Sequence, residues 1–407
     1  MNNYLIIADD FTGANDTGVQ IRRRGIPVRV VFSAQGVSGG ESCVLDTESR
    51  SLSEEEAFQK IARETQNIPF GNFFRVIKKI DSTLRGNIAA EVRALDQSYR
   101  PDLVVFAPAF PDLGRTTVNR IHCLHGTPVS QTELARDPKT PVKNDDIQKI
   151  MADAFDEKVI HISLDTVQSS SFDLGGGRIF CFDAASNRDL QTIVCAVLAE
   201  GKRVLWVGSA GLADNLLNVE AHIPPALAVV ASLSSVSRGQ VHFAEKQGVS
   251  LVKAPFYGIL EKKTDPEKIA GQAIALLKEG RDVILLSSSV YSEEEYQKAE
   301  ESARRAGLPT EEMSAFTQKI MGQIAMLILE KAEVSGLYLS CGDTAMSCFE
   351  YAGALGSSII AEIALGIPIM QLIGGKHDGL KVVTKAGAFG KEDAIFYSLR
   401  KLRDKTR

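Results

Sequence analysis

Cysteine is sparse in this chain. Its six cysteines (Cys43, Cys123, Cys181, Cys195, Cys341 and Cys348) include no C-x-x-C pair. That argues against a disulfide framework or a zinc site and for reduced, mostly buried thiols of a cytoplasmic protein. No apolar run approaches the roughly 20 residues that cross a bilayer. No basic segment precedes the first apolar run, so neither a membrane span nor a signal peptide is expected. Basic residues are not in excess: 46 Lys and Arg stand against 51 Asp and Glu, a formal net charge of -5. A nucleic-acid or anionic-membrane partner would want a basic field. The P-loop pattern G-x-x-x-x-G-K-[ST] is missing, and no G-x-G-x-x-G opens a helix after a strand. Short repeats and low-complexity segments are missing too.

What is present is a composition of 44% apolar and 24% charged residues, ordinary for a globular protein. The 407 residues exceed one ordinary core, so two domains are expected. Residues 1–225 alternate β-branched runs with helical periodicity. Strands are expected at 4–8, 28–32, 43–46, 73–80, 103–107, 159–162, 179–182 and 204–207. Helices are expected at 13–24, 53–67, 88–98, 145–155 and 187–200. The segment 108–141 lacks regular signal, as functional or mobile segments do. Pro224-Pro225 reads as a stiff joint. Residues 226–407 alternate again, with strands at 226–231, 250–253, 283–287, 336–340 and 368–372 and helices at 266–279, 293–306, 322–331 and 344–355. The expected fold class is α/β: two domains, each a mostly parallel sheet flanked by helices.

In such sheets ligands sit beyond the carboxyl ends of the strands. "LIIADDFTGAND" is such an end, carrying Asp9, Asp10 and Asp16. Thr12 could cap the next helix, and Gly13 would permit close approach. Capping and dipole complementarity explain a single acid there. The doublet suggests more, with one carboxylate a general base on a hydroxyl and another helping to hold a divalent cation through water. "VIKKIDSTLRGN" is a second strand end, offering Lys78, Lys79, Asp81, Ser82 and Arg85, groups that suit a carboxylate and hydroxyls. Arg50, in "LDTESRSLS", follows a third. Together they fit a small, anionic, hydroxylated ligand. The second half offers anion sites at Gly turns: "SCGDTAM", "TKAGAFGKE" and "ASLSSVSRG".

In chain order, "ADDFTGANDTG", "DTESR", "KIDSTLRGN", "FAPAFPDLGRTTVNR", "VGSAGLADNL", "CGDTA" and "TKAGAFG" resemble the four-carbon acid sugar kinase family over nearly the whole chain. The resemblance implies an N-terminal domain for the acid sugar, a C-terminal domain for ATP with Mg²⁺, and phosphorylation of the terminal hydroxyl. "NDTGVQ" is more similar to the D-threonate and D-erythronate kinases than to the 3-oxotetronate kinases, which stand as the alternative. By resemblance Asp10, Arg50 and Lys79, Ile80, Asp81 and Ser82 contact substrate, with Asp9, Asp16 and Arg85 beside them. Arg50 and Lys79 would meet the substrate carboxylate, and Asp10, or failing it Asp81, would take the proton. Ser234, Gly342, Asp343, Thr344, Gly387, Ala388, Phe389 and Gly390 would contact nucleotide; no metal ligand is assigned. The chain departs from the family pattern at Ala231, Leu233, Cys341, Ala386 and Ala388. The implied partners are a four-carbon sugar acid and ATP, with a homodimer as the base-rate assembly. Two other readings stay open. A phosphatase would need one residue between the acids of "DDFTG", which are adjacent. A sugar-acid sensor would need neither nucleotide nor base.

Overall fold

A computed structural model of the chain describes residues 2–405. It divides into two compact units, one running to His222 and the other from Ile223 to Lys405.

The first unit is built on eight parallel strands: β1 (Tyr4–Ala8), β2 (Val28–Val31), β3 (Ser42–Asp46), β4 (Arg75–Lys79), β5 (Leu103–Ala107), β9 (Val159–Ile162), β10 (Ile179–Phe182) and β11 (Val204–Gly208). Their order is β2-β3-β1-β4-β11-β5-β10-β9, with every pairing parallel. Runs such as YLIIA and LVVFA are buried throughout, as strands covered on both faces must be. Alternation sends Tyr4, Ile6 and Ala8 into one core and Leu5 and Ile7 into the other. The chain leaves β1 for β2, returns through β3, then crosses to β4. The topological switch point therefore falls at the carboxyl end of β1.

Segment 108–141 is more regular than its sequence suggests. It carries a small antiparallel sheet of β6 (Arg115–Val118), β7 (Ile121–Leu124) and β8 (Thr127–Pro128), strands too short and polar to show a period. The helix Ala210–Glu220 is likewise missing from the sequence reading. Its start is disguised in the sequence by Gly208 and Gly211. Both glycines permit close packing within this unit: a Cβ on Gly208 would meet the Ala107 carbonyl at 2.5 Å and one on Gly211 the Ala109 carbonyl at 2.7 Å.

The second unit has β12 (Leu227–Val230), β13 (Ser250–Ala254), β14 (Val283–Ser287), β15 (Leu337–Ser340), β16 (Gly356–Ala364), β17 (Ile367–Ile373) and β18 (Lys381–Lys385). The order is β13-β14-β12-β15-β18-β17-β16. Pairing is parallel as far as β18, then antiparallel. The switch point here lies at the end of β12. The helix Thr310–Leu329 starts well before the expected 322, because its first half is polar. Strands β16 and β18 escape the reading: β16 is a sheet edge exposed at all but one position, and β18 is flanked by lysines. No helix among the described residues is long and apolar enough to cross a membrane. All six cysteines are free thiols.

Candidate functional site

Strand β1 stops at Ala8, which frees Asp9 and Asp10 from the alternation that would have separated them. The chain after β3 stays hydrogen-bonded to this end: Ser49 and Arg50 N–H groups donate to the Asp9 carbonyl at 3.0 and 3.1 Å. That delivers the Arg50 guanidinium onto both acids. Nε and Nη2 donate to Asp9 at 2.7 and 3.0 Å; Nη1 and Nη2 donate to Asp10 at 2.9 and 2.6 Å. Both edges of the fork are thus occupied within the protein, which differs from the expectation that Arg50 meets the substrate carboxylate. Asp10, not Thr12, caps the helix Phe11–Arg23, accepting from Gly13 N–H at 3.1 Å. The helix already begins at Phe11, so Thr12 lies in its first turn. The Phe11 N–H is taken by Glu48 Oε1 at 3.0 Å.

The two lysines at the end of β4 part company by alternation. Lys78 turns into the core, pairs with Glu91 at 2.8 Å and leaves the site. Lys79 turns to the other face, toward the first turn of the helix Phe11–Arg23. A Cβ on Gly13 would lie 2.8 Å from its ammonium and 2.5 Å from Asp10 Oδ1. Lys79 is 4% exposed, yet no hydrogen bond or ion pair joins its ammonium to any described residue. Burial pushes its pKa down, against the pull of Asp9, Asp81 and Asp10.

Asp81 is saturated. It accepts from Thr83 N–H and Oγ1 and from Arg85 Nε and Nη2. Burial alone would raise it, but Arg85, Arg50 and Thr83 hold it well below the usual carboxylate range. Such a group is a poor base, which counts against the reserve role expected of Asp81. Ile80 is a core residue whose N–H donates to Gly208, leaving only its carbonyl for a ligand. Asp16 is exposed on its helix, and among the described residues no hydrogen bond joins it to Asp9, Asp10 or Arg50.

Two residues here carried no sequence signal. His122, on β7, accepts from Thr117 at Nδ1 (2.8 Å) and donates from Nε2 to the Ser82 carbonyl (2.9 Å). Burial lowers its pKa to about 4, so it stays neutral and fixes Ser82 by that bond. Asp46 ends β3, 3% exposed. Burial, opposed by the Glu48 N–H and assisted by the charges of Glu48 and Asp10, raises its pKa to about 6. Between about 4 and 6 the folded state therefore holds a proton that the unfolded chain releases. Stability falls as pH rises through that window, by at most about 3 kcal/mol. Asp46→Asn should melt higher than the parent at pH 7.5, and the gap should close near pH 4 in paired thermal melts.

In the second unit three turns follow β12, β15 and β18. The helix Gly342–Ala352 starts with no side-chain cap, which leaves its first N–H groups open to an anion. Thr344 Oγ1 is buried there without a partner, and Asp343 is exposed in the same turn. Cys341, one of the departures from the family pattern, has φ 87, a conformation that costs a side chain about 1 kcal/mol or more. The turn 387–390 has its carbonyls drawn onto the protein. Lys385 donates to Gly387 and Phe389 (2.9 and 3.1 Å), Ser234 and Ser237 to Gly387 (2.8 and 3.1 Å), and Gln240 to Phe389, Gly390 and Lys391. Burial lowers Lys385 to about 8. Ser234 also caps the helix Ser235–Lys246, so its hydroxyl ties down the turn. No cluster of metal-ligating side chains occurs among the described residues.

Comparison with known proteins matches each unit separately. The profile "Sugar-binding N-terminal domain" covers residues 4–216, and "Nucleotide-binding C-terminal domain" covers 227–395. A D-threonate kinase of Salmonella typhimurium is 33% identical over 97% of each chain. A D-erythronate kinase of Heliobacterium modesticaldum is 28% identical over 100% of this chain and 99% of its own. A Bordetella bronchiseptica protein, crystallised with bound citrate as a domain-swapped dimer, is 26% identical over 99% of each chain with a TM-score of 0.59. Matched in both halves and aligned end to end with these relatives, the chain belongs to the four-carbon acid sugar kinase family.

Proposed function

We propose that this chain phosphorylates the 4-hydroxyl of a four-carbon sugar acid at the expense of ATP, with D-threonate or D-erythronate as the acceptor. The observation that carries the reading is Lys79: a residue 4% exposed whose ammonium makes no hydrogen bond or ion pair with any described residue, held beside a carboxylate that an arginine has already oriented. A substrate carboxylate would supply the missing partner, and a charge-assisted bond in a water-poor site is a strong one. Arg50 then acts as the clamp that fixes Asp9 and Asp10, and Asp10 accepts the hydroxyl proton. The Salmonella and Heliobacterium relatives, named for D-threonate and D-erythronate, support this choice of acceptor over a 3-oxotetronate. Citrate in the Bordetella neighbour is in keeping with a small polycarboxylate site.

Phosphates would rest on the uncapped start of Gly342–Ala352 and on the 387–390 turn. The orphaned Thr344 hydroxyl and the exposed Asp343 suit Mg²⁺ with its waters, and the ion would neutralise phosphate charge during transfer. A homodimer is the proposed assembly, in line with the Bordetella neighbour.

The test is ADP release from Mg-ATP with D-threonate, D-erythronate, their L forms and 3-oxotetronates. Turnover on a D acid supports the whole reading. Turnover confined to 3-oxo acids keeps the kinase and discards the acceptor. No ADP release with any of them, from folded protein, would leave the sensor reading standing.

A further inference from the structure

Strand β6 turns into β7 at Asn119-Arg120, the end of the stretch "GRTTVNR". The two residues have φ 52 and 73 and join strands that pair antiparallel. A two-residue turn with positive φ at both positions fits the twist of a hairpin, and glycine is the usual second residue. An arginine in that conformation is strained, so the turn needs a grip from elsewhere.

Asp183 supplies it. This residue follows β10 directly, is fully buried and accepts from the Asn119 and Arg120 N–H groups at 2.7 and 2.9 Å. His161 Nε2 and the Leu164 N–H meet the same carboxylate at 2.9 and 3.2 Å. Next to it Thr117 and Ala184 exchange backbone bonds at 2.8 and 3.0 Å. The hairpin is thereby pinned to the end of β10. Thr117 and His122 sit opposite each other on it, both fully buried. Thr117 bonds to His122, and His122 bonds to the Ser82 carbonyl.

The bonds that hold residues 81–85 are otherwise mostly local. Asp81 accepts from Thr83 and Arg85, and the Leu84 N–H donates to the Asp81 carbonyl. A segment closed on itself can keep its internal geometry and still tilt at the end of β4. The His122 bond comes from another element and sets that tilt.

We propose that Asp183 is a positioning residue of the acid-sugar site, acting through the β6–β7 hairpin and His122 on the segment that carries Asp81 and Ser82. In the sheet it stands beyond β11 and β5 from β4, so it would not touch the substrate itself. The proposal rests on the acid-sugar reading of this unit and adds a remote determinant of affinity to it.

Steady-state kinetics of the full chain, with sugar acid and ATP varied separately and thermal melts alongside, test it. Asp183→Asn should raise KM for the sugar acid about tenfold or more and leave KM for ATP within about twofold. His122→Phe keeps a ring but loses both bonds, and should do the same. His122→Gln keeps a donor for the Ser82 carbonyl, and should stay within about threefold of the parent. The double variant Asp183→Asn with His122→Phe should lose little more than the worse single change, because both act on one path. A lower melting temperature and a lower kcat with both KM values unchanged would overturn the proposal and leave the hairpin a structural part alone. Multiplied losses in the double variant would overturn it as well, by making the two residues independent. Because Asp183 acts through His122, a normal sugar-acid KM in His122→Phe overturns it whether or not Asp183→Asn folds. If the parent turns over no sugar acid, the functional reading itself fails and the positioning role fails with it.

Discussion

Lys79→Met should abolish most turnover while leaving the protein as stable as before, or more so. The two halves of that expectation come from one fact. A lysine that is 4% exposed and whose ammonium bonds no described residue carries a desolvation cost, which is why burial lowers its pKa. Methionine fills similar space without the charge, so the melting temperature should hold or rise. The same substitution removes the cation proposed to meet the substrate carboxylate. Losing one charge-assisted contact in such a site costs on the order of 10²-fold to 10³-fold in kcat/KM. The loss should appear mainly in KM for the sugar acid, with KM for ATP near its parent value. Asp10→Asn should divide differently. It keeps an acceptor for Gly13 and Arg50, so binding survives, but kcat should fall by roughly 10²-fold to 10⁴-fold. Steady-state kinetics with each substrate varied, paired with thermal melts, separates these outcomes. A large drop in melting temperature for Lys79→Met would make the lysine a counter-ion for Asp9, Asp10 and Asp81 and remove it from the substrate.

The strand ends were legible because their chemistry is local. An apolar run that stops at Asp9-Asp10, another at Lys79 and a third at Asp46 can be seen without coordinates, and the switch-point rule says where such ends converge. Which groups face each other there could not be seen. Arg50 and Lys79 are both cations near acids in sequence. Only the fold shows that the first is spent on Asp9 and Asp10 while the second is left open. Asp46 was legible only as the end of a strand, because its unusual environment comes first from burial and then from Glu48 and Asp10, and neither its burial nor the approach of Asp10 shows in the sequence. His122 was invisible for the same reason: its partner Ser82 lies on another element. Cys341 illustrates the reverse. Its departure from the family pattern was plain in the sequence, but its meaning waited on a positive φ. The small sheet of β6, β7 and β8 had no pattern to find, since strands of two to four residues are shorter than the period needed to recognise them.

Lys78 and Glu91 offer the second large effect, on stability. Both side chains are buried almost completely and meet at 2.8 Å. Burial drives the Glu91 carboxyl upward, and the Lys78 ammonium pulls it back. Lys78 also donates to the Lys79 carbonyl at 2.8 Å, and Glu91 accepts from Ser49 at 2.7 Å. Lys78→Met leaves an uncompensated carboxylate in an apolar core, and Glu91→Leu leaves an uncompensated ammonium. Each single change should cost about 3–5 kcal/mol, while the double variant should recover most of it, because an apolar pair of similar volume carries no desolvation penalty. Urea titration of the four proteins gives the coupling directly from the midpoints. Additive losses would mean that each residue acts through its other hydrogen bond and that the ion pair contributes little. Recovery of stability without recovery of turnover would be the more informative result. Ser49 precedes Arg50, so the Glu91–Ser49 bond fixes the turn that carries the clamp onto Asp9 and Asp10. A core that is stable again but lacks that bond would hold Arg50 less firmly, and the kinetic defect should then resemble a weaker form of Asp10→Asn.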